Sequence, residues 1–71
     1  MDINYEYYKI FYNVAKYGGF TVAAEKTYSN QPNLTRTIKK LEQELGVALF
    51  YKAGRNVRLT PEGEELYARI R

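Results

Sequence analysis

Four aliphatic residues, Leu34, Ile38, Leu41 and Leu45, recur at i, i+4, i+7 and i+11 and so fall on one stripe of an α-helix. Both ends of the segment that carries them are marked. Asn30 is a suitable N-cap, Gln31 and Pro32 tolerate a first turn whose backbone N–H groups lack intrahelical partners, and Gly46 follows Leu45 as a stop. The stripe predicts a helix over 31–45 with its apolar side on the core. At about 100° per residue, Pro32, Thr35, Arg36, Lys39, Lys40 and Gln43 spread over the opposite side. Such a polar, cationic face suits a phosphate-lined groove, and the rest of the chain is expected to hold it in place.

From Ile3 to Tyr17 the pattern is again helical. Ile3, Tyr7, Ile10, Val14 and Tyr17 form one stripe, Tyr5, Tyr8, Tyr12 and Ala15 another, and Phe11 lies between them. A helix apolar on two sides must be covered on two sides, one by the core and the other by a later helix or a second subunit. The tyrosines are read as packing residues, a stacking platform for unpaired bases being the alternative. Gly18 and Gly19 close this helix, and Thr21 is placed to N-cap a second one running to about Tyr28, with Ala23 and Ala24 keeping its inner face small. The short polar turn of Tyr28, Ser29 and Asn30 then leads into the third helix. Two helices so joined make a helix-turn-helix or an ordinary helical hairpin.

Beyond Gly46 the period changes to one that suits strands: Leu49, Phe50 and Tyr51, a turn at Ala53 and Gly54, then Val57 and Leu59 alternating with Arg58. This predicts a β-hairpin, or wing, with Lys52 and Arg55 at its tip. Beside a helix-turn-helix, such a tip is placed to touch the flanking backbone of a duplex; a solvated turn is the plainer alternative. Thr60 and Pro61 open a last helix, with Glu62, Glu64 and Glu65 near its positive end. These carboxylates read as an acidic helix start and not as a metal site. Leu66, Tyr67 and Ile70 give this helix an apolar side, while Gly63 costs it about 1 kcal/mol. No stop signal precedes Arg71, so the helix is expected to be cut there.

A chain of 71 residues has room for one domain, and at this size only about 60 % of the unfolded surface is buried, which makes further burial by a partner plausible. With neither Cys nor His, the inventory excludes disulfides, Cys or His metal sites and thiol or imidazole catalysis. This fits a reducing cytoplasm. The longest apolar run, Val47 to Tyr51, is too short for a signal peptide or a membrane span. The net charge of +3 is unevenly placed: residues 1–35 are neutral, whereas 36–58 hold six cations against Glu42 and Glu44. A solvated basic face that aids solubility is the alternative to a polyanion-binding one. No nucleophile and base stand at motif spacing, so neither an enzyme nor a cofactor is expected.

Several separated motifs resemble, in order and spacing, the amino-terminal DNA-binding domain of the LysR-type transcriptional regulators. Phe11 and Ala15, then Gly18 with Phe20, Thr21, Ala23 and Ala24, are similar to the family's first helix and its entry to the second. Gln31, Pro32, Leu34, Thr35, Arg36 and Ile38, followed by Leu41, Glu42, Leu45 and Gly46, resemble its recognition helix. Leu49, Phe50, Arg55, Leu59, Thr60, Pro61 and Gly63 match its wing and the start of its linker helix. Thr27 and Ser29 stand where the family usually has apolar residues, Asn30 replaces a common Ser, and Asn33 replaces a small residue. Lys52 stands where Arg is usual, and Lys lacks the bidentate fork.

The resemblance implies a mainly α winged helix-turn-helix, with a three-helix core and a two-stranded wing, that binds double-stranded DNA as a homodimer. Residues 1–59 would form the DNA-binding domain and 60–71 the truncated start of a linker and dimerisation helix. Gln31, Pro32, Asn33, Thr35 and Arg36 are expected to read bases in the major groove, and Thr21, Asn30, Lys39, Lys40, Lys52 and Arg55 to meet the DNA backbone, the wing lying near the minor groove. Tyr5, Tyr8 and Tyr12 of the first helix with Leu66, Tyr67 and Ile70 of the last are expected to form the dimer contact, since neither surface can be buried within the chain. A small-molecule effector would act only through a domain absent from this chain. The alternative from another class is a winged-helix adaptor for protein assembly, with an incidental basic face. Such an adaptor has no need of amide, hydroxyl and guanidinium groups on one outward surface.

Overall fold

The computed structural model describes residues 5–70, so the expectations that fall on Ile3 and Arg71 lie outside the described residues. The element order is α1 (Tyr5–Tyr17), α2 (Phe20–Lys26), α3 (Gln31–Leu45), β1 (Phe50–Ala53), β2 (Asn56–Leu59) and α4 (Pro61–Ile70). Phe11, Val14, Ala23, Ala24, Leu34, Ile38, Leu41 and Leu49 form the buried core between the first three helices and the wing root. The mainly α winged helix-turn-helix expected from the sequence is the fold observed.

On α1 the central residue is Phe11, which lies between the two stripes. It is fully buried, with the Phe50 ring 5.4 Å away on one side and the Tyr67 ring at 6.5 Å, edge-on, on another. The two-sided helix is therefore covered twice, by α2 and α3 and by α4. On the α4 side Tyr12 stacks on Tyr67, with centroids 5.4 Å apart. The expectation that neither surface can be buried within the chain is thus corrected: Tyr8, Tyr12, Leu66, Tyr67 and Ile70 are half-buried because α4 folds back onto α1, while Tyr5 stays exposed.

Two boundaries shift for identifiable reasons. The N-cap of α2 is Gly19, in extended backbone and without a side-chain cap bond, so Thr21 lies inside the first turn and does not cap the helix. Phe20 is the first helical residue, and its ring packs on Phe50 at 6.0 Å. The end of α2 falls at Lys26, before Tyr28, because the chain closes in a Schellman arrangement: Tyr28 N–H donates to Glu25 O at 3.4 Å and Ser29 N–H to Ala24 O at 2.9 Å. Tyr28 takes the left-handed position (φ 58°) usually given to glycine, and its side chain is 98 % exposed.

Helix α3 has the predicted ends. Asn30 Oδ1 accepts Asn33 N–H at 2.8 Å, and Gly46 is left-handed at φ 75°. Leu34, Ile38 and Leu41 are buried, but Leu45 is 40 % exposed. It sits in the last turn beside Val47 and Leu66, at a shallow recess against α4 and clear of the central core.

The wing is an antiparallel ribbon with Phe50 opposite Leu59, Tyr51 opposite Arg58, Lys52 opposite Val57 and Ala53 opposite Asn56. Its two-residue turn is Gly54 and Arg55, one position later than expected; Gly54, at φ 66°, takes the first central place, where a type II′ turn needs positive φ. Phe50, Lys52, Val57 and Leu59 share the inward face. At the base of the wing, Thr60 Oγ1 accepts Gly63 N–H at 3.0 Å as the cap of α4 and donates to Ala48 O at 2.7 Å. Among the described residues, no helix is long and apolar enough to cross a membrane.

Candidate nucleic-acid interface

Between α2, α3 and the wing lies an open groove of about 410 Å³. Thr21 from α2, Gln31, Thr35 and Lys39 from α3, and Lys52 and Arg55 from the wing all line it. Six residues chosen from separate stretches of sequence thus meet around one concavity. The helical arithmetic explains the α3 set, since Gln31, Thr35, Lys39 and Glu42 occupy the flank between the buried stripe and the outermost face.

Pro32, Arg36 and Lys40 point outward from α3 and are exposed without lining the groove. Arg36 Nη2 donates to Asn33 Oδ1 at 3.4 Å, a weak bond along the helix surface. Asn33 turns toward the other flank, where it lines a cleft with Tyr28 and Ser29 and with Glu6, Lys9 and Asn13 of α1. Thr35 departs from the outward position expected of it. It is half-buried, and its Oγ1 is closed to solvent and has no hydrogen-bond partner. Helix α2 and the wing approach this flank of α3, their Thr21, Val22, Lys52 and Val57 lining the same groove as Thr35.

Among the described residues, the one ion pair joins Arg69 to Glu65 on α4, at 3.1 Å, and the cations of α3 and the wing have no carboxylate partner. The charge of Lys39, Lys52 and Arg55 is available to an anion in the groove. The same residues offer no group of acids that could hold a metal ion. The sequence reading missed Glu42, among the described residues the one acid lining the groove: its Oε2 accepts the N–H groups of Leu49, at 2.7 Å, and of Phe50, at 3.3 Å. The available signal was a carboxylate on the Gln31 and Thr35 flank, within an otherwise cationic segment.

Residues 5–64 match the family described as bacterial regulatory helix-turn-helix protein, lysR family. The chain belongs to the LysR family. Among its curated LysR relatives, the uncharacterized HTH-type transcriptional regulator YwbI of Bacillus subtilis is 46 % identical over 59 residues, covering 83 % of this chain and 19 % of that protein. The probable nitrogen assimilation transcriptional activator of Synechococcus elongatus is 48 % identical over 58 residues, covering 82 % of this chain and 18 % of that protein. The chain thus spans about a fifth of the length of the curated relatives it matches.

Solved LysR-family structures repeat the fold. A complex of the CbnR DNA-binding domain with DNA superposes with a TM-score of 0.87 at 32 % identity, covering 97 % of this chain and 77 % of that one. The BenM DNA-binding domain on its benA site 1 DNA gives 0.86 at 38 % identity, covering 97 % and 78 %.

Proposed function

We propose that this chain is the sequence-specific, double-stranded DNA-binding part of a bacterial transcriptional regulator, with α3 in the major groove and the wing near the minor groove. The observation that carries the reading is the convergence of Thr21, Gln31, Thr35, Lys39, Lys52 and Arg55 on one groove where, among the described residues, no carboxylate is paired to its cations. The DNA seen with the CbnR and BenM domains supports the same assignment. In this reading Gln31 suits a bidentate pair with adenine and Arg36 one with guanine, each worth about 1–3 kcal/mol of discrimination. Pro32 completes the base-facing set, whereas Asn33 lies on the flank toward α1 and Thr35 offers its hydroxyl only if it turns outward. Thr21, Lys39, Lys40, Lys52 and Arg55 meet phosphates, which position the protein without carrying sequence information. Asn30 meets the backbone from the N-cap position of α3, where its side chain accepts the Asn33 N–H and orders the first turn. In this reading residues 1–59 form the DNA-binding unit and 60–71 a linker and dimerisation segment, with the cytoplasm as the compartment.

Selection of sites from a random duplex pool tests the assignment. The parent should return a consensus. Arg36→Ala should weaken binding to that consensus by about 1–3 kcal/mol while binding to random duplex stays near the parent's. An identical consensus at the same ratio to random DNA would show that α3 is not the reader.

The reading includes a homodimer through α1 and α4. Because Tyr12 and Tyr67 already cover each other, the contact centres on Tyr5, Tyr8 and Ile70, which line an open groove with Lys9 and Tyr12. Sedimentation velocity at rising concentration should show a monomer–dimer shift that Tyr5→Ser weakens. A concentration-independent monomer would remove dimerisation from the account of this chain.

A further inference from the structure

A groove for a polyanion has little use for a carboxylate, yet Glu42 lines it. Its Oε2 is committed to two backbone N–H groups at the root of the wing, those of Leu49 and Phe50. Leu49 is buried, and its carbonyl oxygen accepts Thr60 N–H at 3.0 Å. Phe50 opens β1 and packs its ring on Phe11 and Phe20. Two residues further along the strand is Lys52, and the turn beyond it carries Arg55. A single oxygen on α3 therefore joins the helix that carries Gln31 and Arg36 to the ribbon that carries the wing cations.

We propose that Glu42 is a positioning residue for DNA binding: by accepting the Leu49 and Phe50 amides it fixes the wing against α3, so that Lys52 and Arg55 reach the same duplex as Gln31 and Arg36. This rests on the chain binding duplex DNA as proposed above. Charge and geometry predict opposite signs. If the carboxylate acts only as a charge, removing it from a groove that faces phosphates tightens binding, and Glu42→Ala and Glu42→Gln behave alike. If it positions the wing, Glu42→Ala weakens binding because both amides lose their acceptor. Glu42→Gln then keeps binding, because its amide oxygen can accept the same two bonds.

The experiment measures fluorescence anisotropy on a selected duplex across a salt series, for the parent, Glu42→Ala, Glu42→Gln, Arg55→Ala and the Glu42→Ala/Arg55→Ala double variant, each with its thermal melt. Arg55→Ala should reduce the log–log salt slope of the parent by about 0.9, the share of one phosphate contact. In the Glu42→Ala background it should reduce the slope by less than half of that amount, and Glu42→Gln should restore the full reduction. Should Glu42→Ala fail to fold, Glu42→Asp takes its place: it keeps the charge but is one methylene too short, and it should weaken binding where Glu42→Gln does not. An Arg55→Ala effect of equal size with and without Glu42, or tighter binding by both Glu42 variants, overturns the positioning role alone. A parent that binds no duplex at any salt overturns the DNA reading and this inference together.

Discussion

Phe11→Ala should remove about 3–5 kcal/mol of stability, the usual cost of deleting a fully buried phenyl ring. A chain of this size has only roughly 4–11 kcal/mol in total. The loss is therefore large because Phe11 is the junction of the fold: it touches the wing through Phe50 and α4 through Tyr67. Phe11→Leu keeps most of the volume and should cost under about 1.5 kcal/mol. Urea denaturation followed by circular dichroism separates the two. A loss below about 1 kcal/mol for the alanine variant would mean that the elements are held together elsewhere.

Gly63→Ala carries a prediction whose sign differs between sequence and structure. Helix propensity alone says that alanine should stabilise α4 by about 1 kcal/mol. In the fold, a Cβ at this position runs into the backbone carbonyl of Leu49 and approaches Leu59 Cδ2 to 3.0 Å. The carbonyl cannot yield, since Thr60 N–H donates to it and the Leu49 amide is held by Glu42. We expect a net destabilisation of about 1–3 kcal/mol as α4 lifts from the wing root. The same urea titration decides it, and a more stable alanine variant would disprove the close docking of α4.

These two residues show what the sequence could and could not reveal. The elements were legible because their signals are local: the α3 stripe, the Asn30 cap, Gly46, the period-two run from Phe50 and the Thr60 and Pro61 start all act within a few residues. Most of the candidate interface was legible for the same reason, since positions on one helix share faces by arithmetic. What escaped depends on contacts between distant segments. Gly63 read as a weak helix residue because its reason, the Leu49 carbonyl, lies 14 positions earlier in the chain. Glu42 read as one acid among cations because its partners are backbone amides, which leave no trace in side-chain patterns. Thr35 was placed too far outward because the arithmetic gives angles but not how closely the wing and α2 approach that flank.

The register of the wing also bears on how such a ribbon can change length. Its paired positions alternate along the strands, Lys52 and Val57 facing the groove and Tyr51 and Arg58 facing away, while Asn56, beside the turn, reaches the groove rim. One additional pair inserted beside the Gly54 and Arg55 turn would extend the tip by about 3.4 Å and fall on the groove side. A second pair would fall on the other side, so reach grows with each insertion but a new groove-facing side chain is gained only on alternate ones. The same pair inserted near Phe50 would exchange the faces of everything beyond it and turn Lys52 to solvent. An unmatched single residue would have to be absorbed as a bulge, re-aiming the tip. Length variation in this ribbon is therefore tolerable at the turn and disruptive at the root.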